Sequence, residues 1–258
     1  MTLAYLGLRA IPFPYEVRLR TGETLSLTEF TDLVVFWLVF VRRHYPVKAS
    51  DRIIVDVGAN VGLFTLYAAR EAPSARIIAI EPFPETFDRL AQLAKANLLE
   101  NRVTRLKCAV TASSGCQFME SGSGVPSQYR AVLSPLTNRL NERHKGFAKP
   151  SGKGIPVQTE TLVGLLDSQG INKVDLVKMN IHGNEYEVVL STPPSALRRF
   201  GRVAVQYHEV PAELNLGKSQ LIEHLQQAGF KLMLDKDTGR GAGIAGFAVA
   251  EPEDVGKD

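Results

Sequence analysis

A glycine-rich turn with an acidic residue in front of it follows the first strongly apolar strand pattern of the chain. In this turn, residues 56–62, Gly58 and Gly62 allow the backbone to pass close to a ligand. A pyrophosphate-binding turn would read G-x-G-x-x-G, whereas here the middle glycine is absent and a carboxylate, which repels pyrophosphate, stands first. The carboxylate of Asp56 suits an ammonium group instead. The predicted cofactor contacts in the turn are Asp56, Gly58, Ala59, Asn60 and Gly62.

A second carboxylate ends the next strand pattern. Glu81 lies about 20 residues beyond the turn, a separation at which a carboxylate can accept hydrogen bonds from both hydroxyls of a ribose. Pro82 and Phe83 then offer an apolar surface to a purine. An ammonium site, a ribose site and a purine surface without a phosphate site together describe S-adenosyl-L-methionine. We therefore predict Glu81, Pro82 and Phe83 as cofactor contacts, with Ala109 and Val110 at the third strand end lining the adenine pocket.

Candidate acid–base residues follow the fourth and fifth strand patterns. Methyl transfer from such a cofactor needs a positioned donor and acceptor, and often a base near the proton that the acceptor loses. His208 follows the fifth strand, and imidazole has the pKa range of a base at neutral pH. His182 is the second candidate base, and Lys178 is predicted to orient the acceptor or, if desolvated, to act as a base. These three residues are the predicted catalytic set, and Asn180 is predicted to contact the cofactor.

A transition-metal site is an alternative use of the same region. His182, His208, Glu185 and Glu209 combine imidazole and carboxylate groups, which is a usable ligand set. The chain has no His-x-x-x-His or comparable local spacing that would support such a site. We therefore predict no metal site.

These residues need a scaffold that brings several strand ends together. Short β-branched runs alternate with helical patterns, which is typical of a doubly wound, mostly parallel α/β sheet. Ligands bind such sheets beyond the carboxyl ends of the strands. A hairpin pattern at residues 15–27 and a helical pattern at 30–45 come first. The predicted strands then cover residues 53–57, 76–81, 103–110, 174–179 and 203–207, and a closing antiparallel pair covers 230–234 and 244–249.

Three blocks of the chain resemble the FkbM family of S-adenosylmethionine-dependent methyltransferases. The blocks are residues 55–62 (VDVGANVG), 80–84 (IEPFP) and 174–185 (VDLVKMNIHGNE). The resemblance extends from about residue 15 to residue 249 and implies a class I, Rossmann-like methyltransferase fold. It also implies O-methylation of hydroxyls on sugars, polyketides and other natural products, commonly within biosynthetic clusters.

The resemblance also suggests how the chain is divided. We predict an N-terminal hairpin and helix extension at residues 1–50, a methyltransferase domain at 51–250 and a tail at 251–258. Within the domain, residues 121–156 are rich in Gly, Ser, Pro, Asn, Lys and Arg and too long for a simple connection. We expect this variable insertion to shape the acceptor pocket.

The third block departs from the family pattern, which reads K-I-D-V-E-G-A-E. Asn180 stands at the Asp position, His182 at the Glu position and Asn184 at the Ala position. Two carboxylates at the predicted reaction centre have thus become an amide and an imidazole. This change disfavours a divalent cation there, because hard cations prefer carboxylate oxygens.

Composition excludes several other classes of protein. A chain of 258 residues, 45% hydrophobic and 22% charged, argues against disorder or a coiled coil. A net charge of +3 does not by itself indicate nucleic acid, and two cysteines are too few for a disulfide framework. The most apolar run, residues 33–41, is far shorter than the ~20 residues of a membrane span, and we predict a buried helix there.

We accordingly expect a cytoplasmic protein without a secretory signal, because the N-terminus has neither a basic n-region nor a small-residue cleavage site. The expected partner is a small-molecule or glycan acceptor with a free hydroxyl, with no nucleic acid and no membrane span. The sequence leaves the oligomeric state open, and a homo-oligomer is one option.

Two functions other than methyl transfer stay open. Asn180 and His182 also fit a protein that binds S-adenosylmethionine but has lost its chemistry, and a nicotinamide oxidoreductase is a third hypothesis. Binding of S-adenosylmethionine or NAD distinguishes the oxidoreductase from the other two. Formation of S-adenosylhomocysteine with a true acceptor distinguishes the enzyme from the non-catalytic protein.

Overall fold

The computed structural model describes residues 12–121, 129–131, 154–208, 217–237 and 244–253. The strands in these ranges are, in chain order, β1 (Tyr15–Arg18), β2 (Thr24–Leu27), β3 (Ile53–Val57), β4 (Arg76–Ile80), β5 (Val103–Leu106), β6 (Ala109–Val110), β7 (Gly115–Ser121), β8 (Tyr129–Ala131), β9 (Ile155–Glu160), β10 (Leu176–Met179), β11 (Val203–His208), β12 (Phe230–Asp237) and β13 (Ile244–Pro252). The α-helices are α1 (Phe30–Phe36), α2 (Leu63–Glu71), α3 (Pro84–Ala96), α4 (Leu162–Ser168), α5 (Glu185–Ser191), α6 (Pro194–Leu197) and α7 (Lys218–Gln227), and a π-helix, Trp37–Val41, directly follows α1.

A seven-stranded sheet in the order β12-β13-β11-β10-β3-β4-β5 forms the centre of the molecule. Strands β11, β10, β3, β4 and β5 pair in parallel, and β13 runs antiparallel to both β11 and β12. This arrangement confirms the predicted doubly wound, mostly parallel sheet with a closing antiparallel pair. The carboxyl ends of β3, β4, β10 and β11 therefore meet at one edge of the sheet, where the predicted site residues follow them.

The interior strands are buried on both faces, which accounts for their nearly continuous apolar sequences. One face packs in a core that contains Tyr186, Phe200 and Phe230. The other face packs in a core that contains Phe64 and Leu90. The few charged residues within these strands must therefore find partners inside the protein.

A second, four-stranded sheet in the order β6-β9-β7-β8 was not predicted. The prediction of one strand across residues 103–110 is wrong in part, because the chain leaves the central sheet after β5. It then forms β6, which pairs in parallel with β9. Strand β9 begins at Ile155, inside the predicted insertion, whereas residues 122–128 and 132–153 of that insertion lie outside the described residues.

The N-terminal extension contains the predicted hairpin, β1 and β2, followed by α1 and the π-helix. Leu25, Leu27, Val39 and Tyr45 share one apolar core with the central sheet, so the extension packs on the sheet directly. Its boundary near residue 50 stays a prediction.

The prediction of a buried helix across residues 33–41 is wrong in part. Val39 is buried, but Trp37 and Val41 are 45% and 60% exposed because this segment covers the sheet with one face only. Within the described residues, no helix combines the length and the hydropathy that crossing a bilayer requires.

Candidate active site

The glycine turn after β3 is held against the neighbouring strand ends by its own backbone. The N–H groups of Gly58 and Ala59 both donate to the carbonyl of Ile80, at 3.0 and 2.9 Å, and that of Asn60 donates to Oε2 of Glu81 at 2.8 Å. These three donors are therefore already used inside the protein. A pyrophosphate group would need such donors, so the turn does not favour the dinucleotide alternative.

Close packing explains why two positions of the turn are glycine. Gly58 has φ +76°, and a Cβ at this position would lie 2.2 Å from the carbonyl oxygen of Asn180. Gly62 has φ +92°, and a Cβ there would lie 2.7 Å from Cδ1 of Leu90 on α3. The glycines thus allow β10 and α3 to approach the turn closely. Their predicted contact with a cofactor stays a prediction.

A buried ion pair lies beneath this turn. Nζ of Lys178 lies 2.8 Å from Oδ1 of Asp56 and donates to the carbonyl of Gly58, also at 2.8 Å. The other carboxylate oxygen of Asp56 accepts from the hydroxyl of Thr65 at 2.7 Å. Asp56 is fully buried and Lys178 is 4% exposed.

This geometry favours a structural role for both residues. The pair joins the carboxyl ends of β3 and β10, where Asp56 and Lys178 stand opposite each other in the sheet register. An ammonium group would have to compete with Lys178 for Asp56, and an acceptor would have to reach a lysine that is enclosed by the rings of Tyr45 and Phe64, 5.9 and 5.7 Å away. The predicted cofactor contact of Asp56 and the predicted catalytic contact of Lys178 stay predictions.

Glu81 organises the end of β4. Its carboxylate accepts hydrogen bonds from the hydroxyl of Thr86 at 2.7 Å and from the backbone N–H groups of Asn60 and Phe83 at 2.8 and 3.2 Å. Burial raises the pKa of Glu81, although these donors and Lys178 oppose the increase. A carboxylate has about four acceptor positions, so one stays available for a ribose hydroxyl.

The predicted purine surface lies between the two sheets. Phe83 is buried and forms a small apolar cluster with Ala109, Met119 and Val157, while Pro82 is partly buried. Ala109 belongs to β6 in the second sheet, and Val110 extends into the main core. The structure therefore brings Phe83 and Ala109 together, although by a different strand from the one predicted.

Two asparagine oxygens near the turn are buried without a hydrogen-bond partner among the described residues. They are the side-chain oxygens of Asn60 and Asn180. Asn60 has a left-handed backbone, φ +51°, and the amide of Asn180 donates to Oε1 of Gln206 at 3.1 Å. Tyr45 donates to the same glutamine oxygen at 3.2 Å, so the N-terminal extension reaches this edge of the sheet.

A chain of three side chains lies at the carboxyl ends of β10 and β11, with His208 as the last residue of β11. Nδ1 of His208 lies 2.9 Å from Oε1 of Glu185, and Nε2 of His208 lies 3.2 Å from Nδ1 of His182. The carboxylate of Glu185 also accepts from the backbone N–H groups of Ile181 and Gly183, both at 2.7 Å. Glu185 and His208 are buried, whereas His182 is partly exposed.

Electrostatics fixes the charge of this carboxylate. Burial acts to raise the pKa of Glu185, but the charge of His208 and the hydrogen bonds from His208 and from the backbone outweigh it. The pKa is therefore lowered, and Glu185 is ionised at neutral pH. The buried carboxylate can thus compensate positive charge on the neighbouring imidazole.

Sequence reasoning considered Glu185 only as a possible metal ligand, and it missed Tyr45 and Gln206 as site residues. The signal for Glu185 was present, since it is the last residue of the third family-like block. Glu209, which was considered beside His208, lies outside the described residues. Tyr45 and Gln206 carry no motif and are identified only by their contacts.

The transition-metal alternative requires several of these side chains to share one ion. His182, His208 and Glu185 do lie together, but at hydrogen-bond distances from one another. In the parts of the chain that the structure describes, no group of three or more His, Cys, Asp and Glu side chains could hold a metal ion.

Comparison with known proteins identifies several relatives. The chain is 28% identical over 203 residues to methyltransferase sdnD of Sordaria araneosa, covering 72% of this chain and 76% of that one. It is 25% identical to the 31-O-demethyl-FK506 methyltransferase FkbM of Streptomyces tacrolimicus, covering 77% and 79%. It is 29% identical to the hexuronic acid methyltransferase AglP of Haloferax volcanii, covering 62% and 57%.

A solved structure and a family model agree with these similarities. The crystal structure of methyltransferase FkbM from Methylobacillus flagellatus KT matches with a TM-score of 0.52 and 14% identity, covering 84% of this chain and 47% of that one. A match at this identity shows the shared fold only. The family model of the methyltransferase FkbM domain matches residues 56–232. This chain therefore belongs to the FkbM family of methyltransferases.

Proposed function

We propose that this protein is an S-adenosyl-L-methionine-dependent O-methyltransferase that acts on a hydroxyl of a sugar or another natural product. Family membership supports methyl transfer. The observation that carries the cofactor assignment concerns the buried side-chain oxygens of Asn60 and Asn180 beside the Gly58 turn, which have no hydrogen-bond partner within the described part of the chain. Buried acceptors without a donor are costly, so this site favours a ligand that supplies donors.

The residues present fit the cofactor. The side-chain oxygens of Asn60 and Asn180 can accept hydrogen bonds from the ammonium group of its methionine part. The remaining acceptor position of Glu81 suits one ribose hydroxyl, and the Phe83–Ala109 cluster supplies apolar surface for the adenine. When bound, the cofactor supplies a methyl group activated on a sulfonium.

The protein itself has to hold the acceptor and manage its proton. His182, just after β10, and His208, the last residue of β11, lie at the same sheet edge as the turn, because both strands run parallel to β3. Imidazole is the side chain best suited to accept a proton near neutral pH. The role of the ion pair of Lys178 and Asp56 is indirect: it holds the glycine turn against β10.

The nature of the acceptor is supported by the names of two relatives. One is named as a 31-O-demethyl-FK506 methyltransferase, which indicates oxygen as the methylated atom, and another as a hexuronic acid methyltransferase, which indicates a sugar. From these two names we propose the acceptor class for this chain, which is a hydroxyl on a sugar or on another natural product.

Calorimetry tests the cofactor assignment. We expect the protein to bind S-adenosylmethionine and S-adenosylhomocysteine but not NAD. Asn60→Gly, which keeps the left-handed backbone, and Asn180→Leu should each weaken binding by about 10- to 150-fold, corresponding to about 1.5–3 kcal/mol for a hydrogen bond to a charged group. Asn172→Gly, on an exposed loop, is the matched control. Unchanged affinity in both site variants would overturn the assignment.

Incubation with labelled methyl donor and a panel of glycosides and polyketide alcohols tests the reaction. We expect label on an oxygen, with S-adenosylhomocysteine as the coproduct. Tight cofactor binding without transfer to any acceptor would favour the non-catalytic alternative. Transfer to nitrogen or carbon would show that the protein is a different kind of methyltransferase.

A further inference from the structure

We propose that Tyr45 is a positioning residue of the methyl-donor site, because it fixes the side chain of Asn180 through Gln206 and so makes the N-terminal extension part of that site. This inference deepens the proposed function and rests on it. The observation that carries it is a hydrogen-bond junction at one oxygen. Oε1 of Gln206 accepts from the hydroxyl of Tyr45 at 3.2 Å and from the side-chain nitrogen of Asn180 at 3.1 Å.

The junction joins three distant parts of the chain. Tyr45 belongs to the N-terminal extension and is separated from Gln206 by 161 residues. Met179 and Val205 stand opposite each other in the register of β10 and β11, so the residues that follow them, Asn180 and Gln206, are neighbours across the sheet. Tyr45 and Gln206 are 3% and 4% exposed. The extension and the two strand ends therefore meet at a buried oxygen.

Packing holds the ring of Tyr45 in place independently of its hydroxyl. The rings of Phe64 on α2 and Phe247 on β13 lie 5.1 and 5.8 Å away, both edge to face, an arrangement that aromatic pairs prefer. Nζ of Lys178 lies 5.9 Å from the centre of the same ring. A phenylalanine at position 45 can keep these contacts, so the hydroxyl can be removed by itself.

The proton of Tyr45 determines which atom of Gln206 faces the junction. Burial raises the pKa of Tyr45, so the hydroxyl keeps its single proton near neutral pH and donates it. If the amide of Gln206 were turned round, its nitrogen would face Tyr45, and the hydroxyl proton would lose its acceptor in a buried place. A buried donor without an acceptor is costly, so Tyr45 favours the orientation with the oxygen inward.

The orientation of Gln206 in turn determines that of Asn180. An oxygen at the junction requires a donor, so the side-chain nitrogen of Asn180 faces Gln206 and its oxygen faces away. That oxygen is buried and has no hydrogen-bond partner within the described part of the chain. The backbone N–H of Asn180 donates to the carbonyl of Val57 at 3.1 Å, which fixes the main chain beside the glycine turn. The junction fixes the side chain, and the acceptor proposed for the ammonium group is thus oriented in advance.

Calorimetry with S-adenosylmethionine and S-adenosylhomocysteine tests this role. Tyr45→Phe should weaken binding by about 2- to 12-fold, the range for one neutral hydrogen bond, because both amides can then turn. Tyr207→Phe is the matched control, since this tyrosine is also buried and its hydroxyl donates to Oδ1 of Asp235 at 3.3 Å. We expect its affinity to be that of the wild type.

Two replacements of Gln206 test the acceptor oxygen. Gln206→Glu keeps an oxygen at the junction in either protonation state, whereas Gln206→Met removes it. The glutamate variant should therefore bind the cofactor more tightly than the methionine variant. The opposite order would contradict the argument from the acceptor.

A double-mutant cycle tests whether Tyr45 acts through Asn180. In the Asn180→Leu background the oriented oxygen is absent, so Tyr45→Phe should then cause little further loss of affinity. Additive losses would overturn the inference, because Tyr45 would then act on the cofactor by another route. Urea unfolding of the ligand-free variants adds a readout of stability. A Tyr45→Phe variant that loses stability but binds the cofactor like the wild type would show that the residue is only structural.

The same measurements separate this inference from the proposed function. Weaker binding in Asn180→Leu with unchanged binding in Tyr45→Phe would overturn the role of Tyr45 and leave the cofactor assignment intact. A wild-type protein that binds neither S-adenosylmethionine nor S-adenosylhomocysteine would contradict the proposed function, and the inference would be overturned with it.

Discussion

Two buried ion pairs lie at neighbouring strand ends of the sheet, and they differ in the basic group, which is a lysine ammonium in one and a histidine imidazole in the other. Lys178 and Asp56 join β10 to β3, and Glu185 and His208 join α5 to β11. Both carboxylates are fully buried. Lysine keeps its proton near neutral pH when an anion is in contact with it, whereas imidazole gains and loses a proton in this range.

This difference suggests separate tasks for the two pairs. A pair with fixed charge can hold two strands and a turn in register, which Lys178 does through its contacts to Asp56 and to the carbonyl of Gly58. A pair that contains histidine can change its number of protons while staying compensated. The same sheet edge thus contains one pair with a lysine and one pair with a histidine.

The largest effect is expected from breaking the fixed pair. Lys178→Met leaves Asp56 charged, buried and without its cation, which should cost about 3–5 kcal/mol of unfolding free energy. Urea unfolding measures this loss. Lys48→Met removes the exposed pair with Glu251 and should cost about 0–1 kcal/mol. The double variant Lys178→Met/Asp56→Asn should recover part of the loss, and a double variant no more stable than the single one would contradict the pairing argument.

The next effect concerns the turn that this pair supports. Gly58→Ala places a methyl group against the carbonyl of Asn180 and also forces a left-handed alanine. At Gly170, φ is +66° and an added Cβ would have no atom within 4 Å, so Gly170→Ala should lose only the stability that a left-handed alanine backbone costs. We expect about 1–2 kcal/mol for the backbone in both variants and about 1–3 kcal/mol more for the contact at Gly58. Equal melting temperatures would show that the turn can move away from β10.

These two features show what the sequence could and could not predict. The parallel sheet, the closing antiparallel pair and the position of the glycine turn follow from local patterns, whereas the strand order does not. Asp56 and Lys178 were both identified as site residues, but as separate contacts to ligands. Their mutual contact spans 122 residues and depends on β3 lying beside β10, which no local pattern encodes.

The second sheet was missed for a related reason. Strand β9 contains Pro156, which weakens a strand pattern, and its partner β7 is separated from it by more than thirty residues of the insertion. The sequence suggests Glu185 only as a possible metal ligand, and an acidic residue at a helix start is ordinarily explained as a favourable terminal charge. Only the structure shows that its carboxylate turns back to His208.

A smaller effect should appear in the pH dependence of stability. The pKa of Glu185 is lowered in the folded protein, so its contribution is complete above the carboxyl pKa of the unfolded chain and is lost as the pH falls through the folded value. The difference in unfolding free energy between wild type and Glu185→Gln should therefore shrink as the pH falls from 7 toward about 3, near the carboxyl range. Denaturant unfolding at several pH values measures it.

Glu81 provides the control for this prediction, because its pKa is raised by burial. The wild type should gain stability relative to Glu81→Gln as the pH falls through that raised value, which is the opposite sign. If the pH dependence of stability has the same sign for Glu185→Gln and Glu81→Gln, the pair of Glu185 and His208 does not behave as its contacts indicate.

The smallest expected effect is that of divalent metal, since we expect chelation to leave the rate unchanged. Two carboxylates of the family pattern are replaced here by Asn180 and His182, and hard cations prefer carboxylate oxygens. His182 and His208 face each other through ring nitrogens, and a cation bound to Nδ1 of His182 would have to break that contact. Methyl-transfer rates before and after exhaustive chelation test this, with magnesium added back as the control. If chelation lowers the methyl-transfer rate and magnesium alone restores it, the pair of Glu185 and His208 works beside a cation. The charge of Glu185 would then be assigned to metal binding rather than to the imidazole.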